Sequence, residues 1–140
     1  MAQHGIEPHS HGLVPLQTRN ERPRSTSASD FQELSNQQEI WRYLPMDRLN
    51  GLDAEVMGEV SASEIDIALA AGVSASWIDS SAEPVGSAGL PEDRISAIAW
   101  TNASKTLLVE VEDNSETAEP TFLTVNLDEA TAKALHIFVK

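Results

Sequence analysis

The sequence contains no cysteine, and this absence removes several classes of protein at once. Disulfide scaffolds, zinc ribbons, thiol nucleophiles and thiolate-bound iron–sulfur clusters all depend on that side chain. No apolar run approaches the roughly 18 residues that a membrane-spanning helix needs. The N-terminus also lacks the basic start and apolar stretch of a secretory signal. These absences predict a cytoplasmic protein that does not bind a membrane.

Basic side chains are scarce, and the acidic excess is unevenly distributed. Lys and Arg together number 9 against 22 Asp and Glu, which gives a net charge of −13. Residues 1–48 are close to neutral, whereas residues 49–140 carry almost the whole excess. Because such a surface repels phosphate groups, we expect no nucleic-acid partner. The hydrophobic content of 41% is that of an ordinary globular protein.

Composition changes along the chain predict its organisation. Residues 1–30 are rich in His, Pro, Ser, Gln and Arg and poor in large apolar side chains, which predicts a flexible leader. Order is expected to begin near Phe31, in a domain of short helices and small strands over residues 31–104. Residues 105–140 are expected to be mostly β structure. The fold class predicted from these patterns is α+β.

Two helices are expected from their end signals. Ser35 and Gln38 have the spacing of a capping box, and Pro45 would end the helix that follows. Asn50-Gly51 indicates a turn soon afterwards. Pro91 suits the first position of a second helix, with two acidic residues in its first turn. Its apolar stripe runs to Ala103, and it should end over residues 102–104.

Alternating apolar and polar residues predict strands, separated by a loop over residues 79–90 and a turn at 113–115. The last predicted strand runs to Lys140 with no polar tail behind it. Because natural chains normally cover an exposed apolar strand, we expect the sheet to continue in residues beyond this sequence. The predicted strands span residues 64–69, 73–77, 107–111, 123–127 and 135–139.

Few residues have the pattern of a chemical site. His4, His9 and His11 could bind a divalent metal, but they lie in the predicted leader without supporting residues. His136 could serve as a general base only with a partner group, so a structural role on the strand face is favoured.

Other clusters have structural explanations. The acids between residues 110 and 119 lack the spacing of a calcium loop and are expected to be a solvated hairpin end. The serines of Asp79-Ser80-Ser81 form no nucleophile elbow, and no glycine-rich phosphate or dinucleotide motif is present. The large aromatic side chains are expected to be core or interface anchors. The acids are Glu110, Glu112, Asp113, Glu116 and Glu119, and the aromatics are Trp41, Tyr43, Trp77 and Trp100. We therefore predict no catalytic, cofactor-binding or metal-ligating residue, and no enzyme.

One segment carries a family resemblance. Residues 39–49, Glu-Ile-Trp-Arg-Tyr-Leu-Pro-Met-Asp-Arg-Leu, resemble the Glu-x-Trp-Arg-Tyr/Phe-Thr-x-Leu-x-x-Leu segment of SufD proteins, which are subunits of an iron–sulfur cluster assembly machinery. The family usually has Thr where Leu44 stands. Further similar features follow in family order over residues 28–140. They are the strand pair from Ile65 to Ile78, Leu90-Pro91-Glu92-Asp93-Arg94 with its helix ending Ala99-Trp100-Thr101-Asn102-Ala103, and Glu119-Pro120 before a strand.

The resemblance implies that this is the N-terminal portion of a SufD-like scaffold subunit. Residues 105–140 would then be the first strands of a truncated β-helix core. Expected partners are SufB-like and SufC-like subunits, the latter an ATPase. The chain itself would hold no cofactor, since the family handles iron–sulfur clusters transiently through residues beyond this sequence.

Two other interpretations stay open at this point. The chain could be a free-standing acidic protein-interaction module with no cluster role, because its second part is strongly acidic and lacks catalytic groups. A small hydrolase that uses His136 and scattered acids is the less favoured interpretation.

Overall fold

The computed structural model describes residues 22–127 and 131–140 and confirms the α+β class. The strands are β1 (Gly58–Glu59), β2 (Ile65–Ala68), β3 (Val73–Asp79), β4 (Lys105–Val111), β5 (Phe122–Val125), β6 (Lys133–Ala134) and β7 (His136–Val139). One α-helix, α1 (Arg94–Asn102), lies between β3 and β4. Single 3₁₀ turns span Ala28–Asp30, Glu39–Trp41, Met46–Arg48 and Ala62–Glu64.

The strands form three small sheets. The largest has the order β3-β4-β7, with β3 antiparallel and β7 parallel to the central strand β4. Strands β2 and β5 pair antiparallel, and β1 and β6 pair parallel. The predicted strands are therefore confirmed at all five places, but β2 and β3 do not pair with each other although they follow directly in sequence.

Strand β4 is buried on both faces, which places the core around it. Leu107 and Val109 pack with Ile65 of β2 on one face. Leu108 is buried on the opposite face, beside Phe138 of β7 in the strand register. A strand covered on both sides is expected to be continuously apolar at its centre, as this one is.

The first predicted helix is wrong. Gln38 precedes a single 3₁₀ turn, and the Ser35 hydroxyl accepts a hydrogen bond from the Gln37 N–H at 3.2 Å instead of capping a helix. With Pro45 so close, the segment is too short to repay the cost of starting an α-helix. The predicted turn at Asn50-Gly51 is confirmed, with φ of 48° and 87°.

Helix α1 begins later than predicted. Asp93 is the residue that caps it, and Pro91 lies outside the helix and not at its first position. The Asp93 carboxylate accepts hydrogen bonds from the Ser96 N–H at 2.9 Å and from the Ser96 hydroxyl at 2.7 Å. These bonds satisfy a backbone donor that a helix start leaves free. The predicted end of the helix is confirmed, because Asn102 is its last residue.

Removing this cap is expected to weaken the protein measurably. Asp93→Ala should lower the free energy of unfolding by about 1 kcal/mol, because the Ser96 N–H loses its acceptor. Asp93→Asn keeps an acceptor oxygen and serves as the matched control. Urea unfolding of both variants measures the difference, and equal stability of the alanine and asparagine variants would contradict the assigned cap.

The described part of the predicted leader lies along α1. We call residues 22–31 the N-terminal strap. The Ser25 N–H donates to the Pro91 carbonyl at 3.1 Å, near the start of the helix. The Thr101 hydroxyl donates to the Thr26 carbonyl at 3.0 Å, near its end. The strap is therefore bonded to residues near both ends of the helix. The boundary predicted at residue 31 and the β-helix assigned to residues 105–140 stay predictions.

Candidate functional site

Arg94 is one of the residues that join the N-terminal strap to the rest of the chain, and it binds the 3₁₀ turn of the strap. It stands at the first position of α1, and its side chain is only 13% exposed. The guanidinium donates to the Ala28 carbonyl at 2.7 Å and to the Phe31 carbonyl at 3.4 Å, and it lies 3.3 Å from the Glu55 carboxylate. Its fork of donors thus holds the 3₁₀ turn of the strap against the helix.

An open groove of about 750 Å³ lies between this strap and the start of α1. Phe31 and Trp41 line it together with Arg94. Trp41, in the segment that resembles SufD proteins, is half-buried and forms part of the groove wall. Tyr43, two residues later in the same motif, is 89% exposed and is not a core residue.

The remaining tryptophans have packing roles. Trp77 of β3 packs against the core cluster and lines a smaller pocket of about 390 Å³ near Lys105. Trp100 of α1 lies against the ring of His136, with 4.2 Å between the ring centres. Both contacts confirm the expectation that these side chains are anchors within the fold.

His136 is placed as a structural residue between helix and sheet. Its Nδ1 atom is buried and has no hydrogen-bond partner among the described residues. Burial lowers the pKa of His136 below its ordinary value of 6.5, because the charged imidazolium is poorly solvated there. A catalytic histidine needs a carboxylate or carbonyl to orient it, and nothing in the described part of the chain takes that place at Nδ1.

This burial gives a testable pH dependence. Since the unfolded chain binds the proton of His136 more readily than the folded chain, stability should decrease as the pH falls from above 6.5 through the lower folded-state pKa. His136→Phe keeps a ring against Trp100 and cannot titrate. The stability of this variant should therefore lack the part of the pH dependence that comes from His136. Urea unfolding of both proteins across that pH range measures it. Parallel pH profiles for the two proteins would contradict the assigned burial of a neutral imidazole.

The acidic segment is solvated, as predicted, but it is not a hairpin end, because β4 pairs with β3 and β7 whereas β5 pairs with β2. The Glu110 carboxylate lies 3.6 Å from the Lys140 ammonium, and both side chains are partly exposed. The Glu112 N–H donates to the Gly72 carbonyl at 2.9 Å, and Asn114 turns the chain with a φ of 58°. Asp113, Glu116 and Glu119 are exposed.

The Asp79-Ser80-Ser81 segment is a local hydrogen-bonded turn. The Asp79 carboxylate accepts from the Ser81 N–H at 2.9 Å and from the Ser81 hydroxyl at 2.6 Å. These bonds lower the pKa of Asp79 below its ordinary range. Ser80 shares a hydrogen bond with Thr106 at 2.8 Å. The Ser80–Thr106 bond thus holds the end of β3 to β4, whereas the Asp79–Ser81 bonds stay within the turn.

One ion pair was missed by the sequence analysis. The Lys133 ammonium of β6 donates to the Glu64 carboxylate beside β2. The same carboxylate accepts from the Ser61 N–H at 2.8 Å and from the Ser61 hydroxyl at 2.9 Å. Together these bonds lower the pKa of Glu64 to about 2. The Ser-x-x-Glu spacing was the available signal, whereas the partner on β6 lies 69 residues away.

Residues 22–127 and 131–140 form no metal-binding centre. No group of three His, Asp or Glu side chains there could hold an ion. His4, His9 and His11 lie outside the described residues. Among the helices in the described ranges, none has the length and apolar character needed to span a membrane.

The described chain is therefore an α+β unit with a groove beside α1, and its polar clusters hold elements together. No family model matches the sequence, and no solved structure matches it. This chain is similar to iron–sulfur cluster assembly SufBD family proteins of Mycobacterium bovis and Mycobacterium tuberculosis, at 30% identity over 95 residues. That segment covers 68% of this chain.

The chain spans about a quarter (24%) of the length of these curated relatives. The similarity supports placing it in the SufB/SufD superfamily, and the relatives carry the joint name of both proteins. It agrees with the resemblance found in the sequence at that level.

Proposed function

We propose that this chain is the N-terminal part of a SufD-like scaffold subunit for iron–sulfur cluster assembly. The observation that carries the proposal is the 95-residue similarity to SufBD family proteins named for that process. The chain's part in it would be to bind other subunits and not to catalyse a reaction. The iron–sulfur cluster is the cargo of this process, and this chain supplies no thiolate to hold it.

The architecture is compatible with a scaffold. Strands β4 and β7 pair in parallel, as do β1 and β6. Parallel pairing between strands distant in sequence is the pattern from which a solenoid grows, because each coil stacks on the preceding one. We propose that residues 105–140 lead into such a β-helix and that the complete protein works in the cytoplasm with SufB-like and SufC-like subunits.

Purification from its own cells tests the partners. The protein, tagged at its chromosomal locus, should co-elute with a SufC-like ATPase and a SufB-like subunit in fixed ratio. An untagged strain processed in parallel is the control for unspecific binding. Elution without either subunit would contradict the proposed complex.

A second candidate is a free-standing acidic interaction module. Its support is the charge distribution, since residues 49–140 carry nearly all of the net charge of −13. Acidic surfaces select basic partners through complementary potentials. The same purification separates the two proposals, because this one requires a stoichiometric basic protein unrelated to cluster assembly.

A further inference from the structure

The N-terminal strap carries a pattern of basic and hydroxyl residues that the proposed function does not use. Its sequence begins Arg22-Pro23-Arg24-Ser25-Thr26-Ser27. Arg22 stands three residues before Ser25, and Arg24 stands directly before it. A cation at these positions suits a protein kinase with an acidic peptide groove, since complementary charges fix the register of a bound peptide. In a chain with only 9 basic residues, this pair of arginines is the densest basic feature of the strap.

Ser25 is the centre of the strap's local hydrogen bonds. Its hydroxyl donates to the Asp30 carboxylate and accepts from the Ser27 N–H at 3.0 Å. Its backbone N–H is bonded to the Pro91 carbonyl. A group added to this hydroxyl therefore disturbs the fold of the strap and its attachment to α1 together.

Both arginines pair with one carboxylate of the helix start. The Arg24 guanidinium lies 3.1 Å from the Glu92 carboxylate, and that of Arg22 lies 3.9 Å from it. The arginine side chains are 46% and 54% exposed. Exposed ion pairs of this kind contribute little to stability, so this end of the strap can open at small cost and present an extended peptide to a kinase.

We propose that Ser25 is a phosphorylation site for a protein kinase that recognises basic residues, and that the phosphate detaches residues 22–27 from α1. In the reaction, the Ser25 hydroxyl oxygen attacks the γ-phosphorus of ATP. The bond from that phosphorus to the β–γ bridging oxygen breaks, and ADP leaves. The hydroxyl proton passes to the kinase's carboxylate base.

The negative charge of the phosphate disfavours attachment of residues 22–27 to the rest of the protein. A phosphoserine carries a charge of about −1.5 to −2 and three strong acceptor oxygens. It repels the Asp30 carboxylate, which the Ser25 hydroxyl contacts in the unmodified protein. It also competes with Glu92 for Arg22 and Arg24, because phosphate pairs strongly with guanidinium groups.

Detachment is expected to stop at the turn held by Arg94. The Arg94 guanidinium binds the carbonyls of Ala28 and Phe31. The Ser25 hydroxyl, which would carry the phosphate, bonds to neither of these residues. The released part should therefore be residues 22–27, with the turn that follows retained on the helix.

Phosphorylation of the full chain tests the proposal. The protein is incubated with ATP and the catalytic subunit of cyclic-AMP-dependent kinase as the basic-directed probe, and fragment masses locate the phosphate. We expect modification at Ser25, loss of that modification in Ser25→Ala, and its retention in Ser29→Ala, which lacks an arginine three residues before it. Phosphate at other hydroxyls but not at Ser25 would overturn the assignment.

Hydrogen exchange then tests the structural effect. Exchange of the Ser25 amide should become about tenfold faster after phosphorylation, while the Phe31 amide, which bonds to the Ala28 carbonyl within the retained turn, changes little. Unchanged exchange at Ser25 would overturn the proposed release. Phosphopeptide mapping of the protein isolated from its own cells should detect the Ser25 phosphate, and its absence under all growth conditions sampled would overturn the site as a physiological one.

Discussion

Leu107→Ala is expected to lower the free energy of unfolding by about 2–5 kcal/mol. Leu107 is 1% exposed, lies at the centre of β4 and packs in the cluster that includes Val60, Ile65 and Val109. The substitution removes buried methyl groups and leaves a cavity that neighbouring strands can fill only in part. Because domains of this size are stable by about 5–15 kcal/mol, the loss is a large share of the total.

The neighbouring strand provides a matched control for this substitution. Ile137 of β7 lies directly beside Leu107 in the parallel register but is 40% exposed. Ile137→Ala removes a similar number of carbon atoms from a half-solvated position, so its effect should be less than half as large. Urea unfolding of both variants of the full chain measures the difference. A loss at Ile137 equal to that at Leu107 would contradict the placement of the core around β4.

Arg94→Ala is expected to lower the free energy of unfolding by about 2–3 kcal/mol, since charge-assisted hydrogen bonds are the stronger kind. The substitution leaves the Ala28 and Phe31 carbonyls without their donor and frees the 3₁₀ turn of the strap from the start of α1. Arg94→Lys should recover only part of the loss, because a single ammonium cannot reproduce the fork of a guanidinium.

Arg42→Ala is the control for the charge change at Arg94. The Arg42 side chain is exposed, and its removal makes the chain more acidic by the same amount. We expect its stability to stay within about 0.5 kcal/mol of the parent. Hydrogen exchange should show loss of protection at the Asp30 and Phe31 amides in the Arg94 variant alone. Equal behaviour of the two variants would contradict the anchoring role of Arg94.

The strands could be predicted because each carries its own signal. The alternation in β2 and β3 follows from one face turned to the core, and the glycine at 72, with a φ of 74°, marks the turn between them. The sheet order could not be predicted in this way. The parallel pairing of β4 with β7 joins residues about thirty positions apart, and no local pattern specifies it.

The strap makes contacts that composition does not indicate. Its residues are small and polar, so burial cannot be expected to hold them in place. They are held by backbone hydrogen bonds and by one arginine on a distant helix, and a sequence pattern contains neither partner. The start of α1 was predicted only approximately. Pro91 and Asp93 both carry helix-start signals, and only the geometry shows that Asp93 is the cap.

The candidate site was not predicted, since the sequence indicated no catalytic, cofactor-binding or metal-ligating residue. The lack of cysteine and of phosphate-binding glycine motifs could be seen directly in the sequence, whereas the groove beside Trp41 depends on tertiary contacts. Tyr43 illustrates the limit of a motif, since an aromatic residue in a family-like segment can be core or interface, and its exposed fraction of 89% excludes only the core.

Depletion of the protein in its own cells tests the proposed role in iron–sulfur cluster assembly. The measurement is the activity of an iron–sulfur dehydratase per amount of that enzyme, beside a dehydrogenase without a cluster. We predict that the dehydratase loses activity while the dehydrogenase does not, and that iron and sulfide added to the extract restore the loss. Unchanged dehydratase activity in depleted cells would contradict the account.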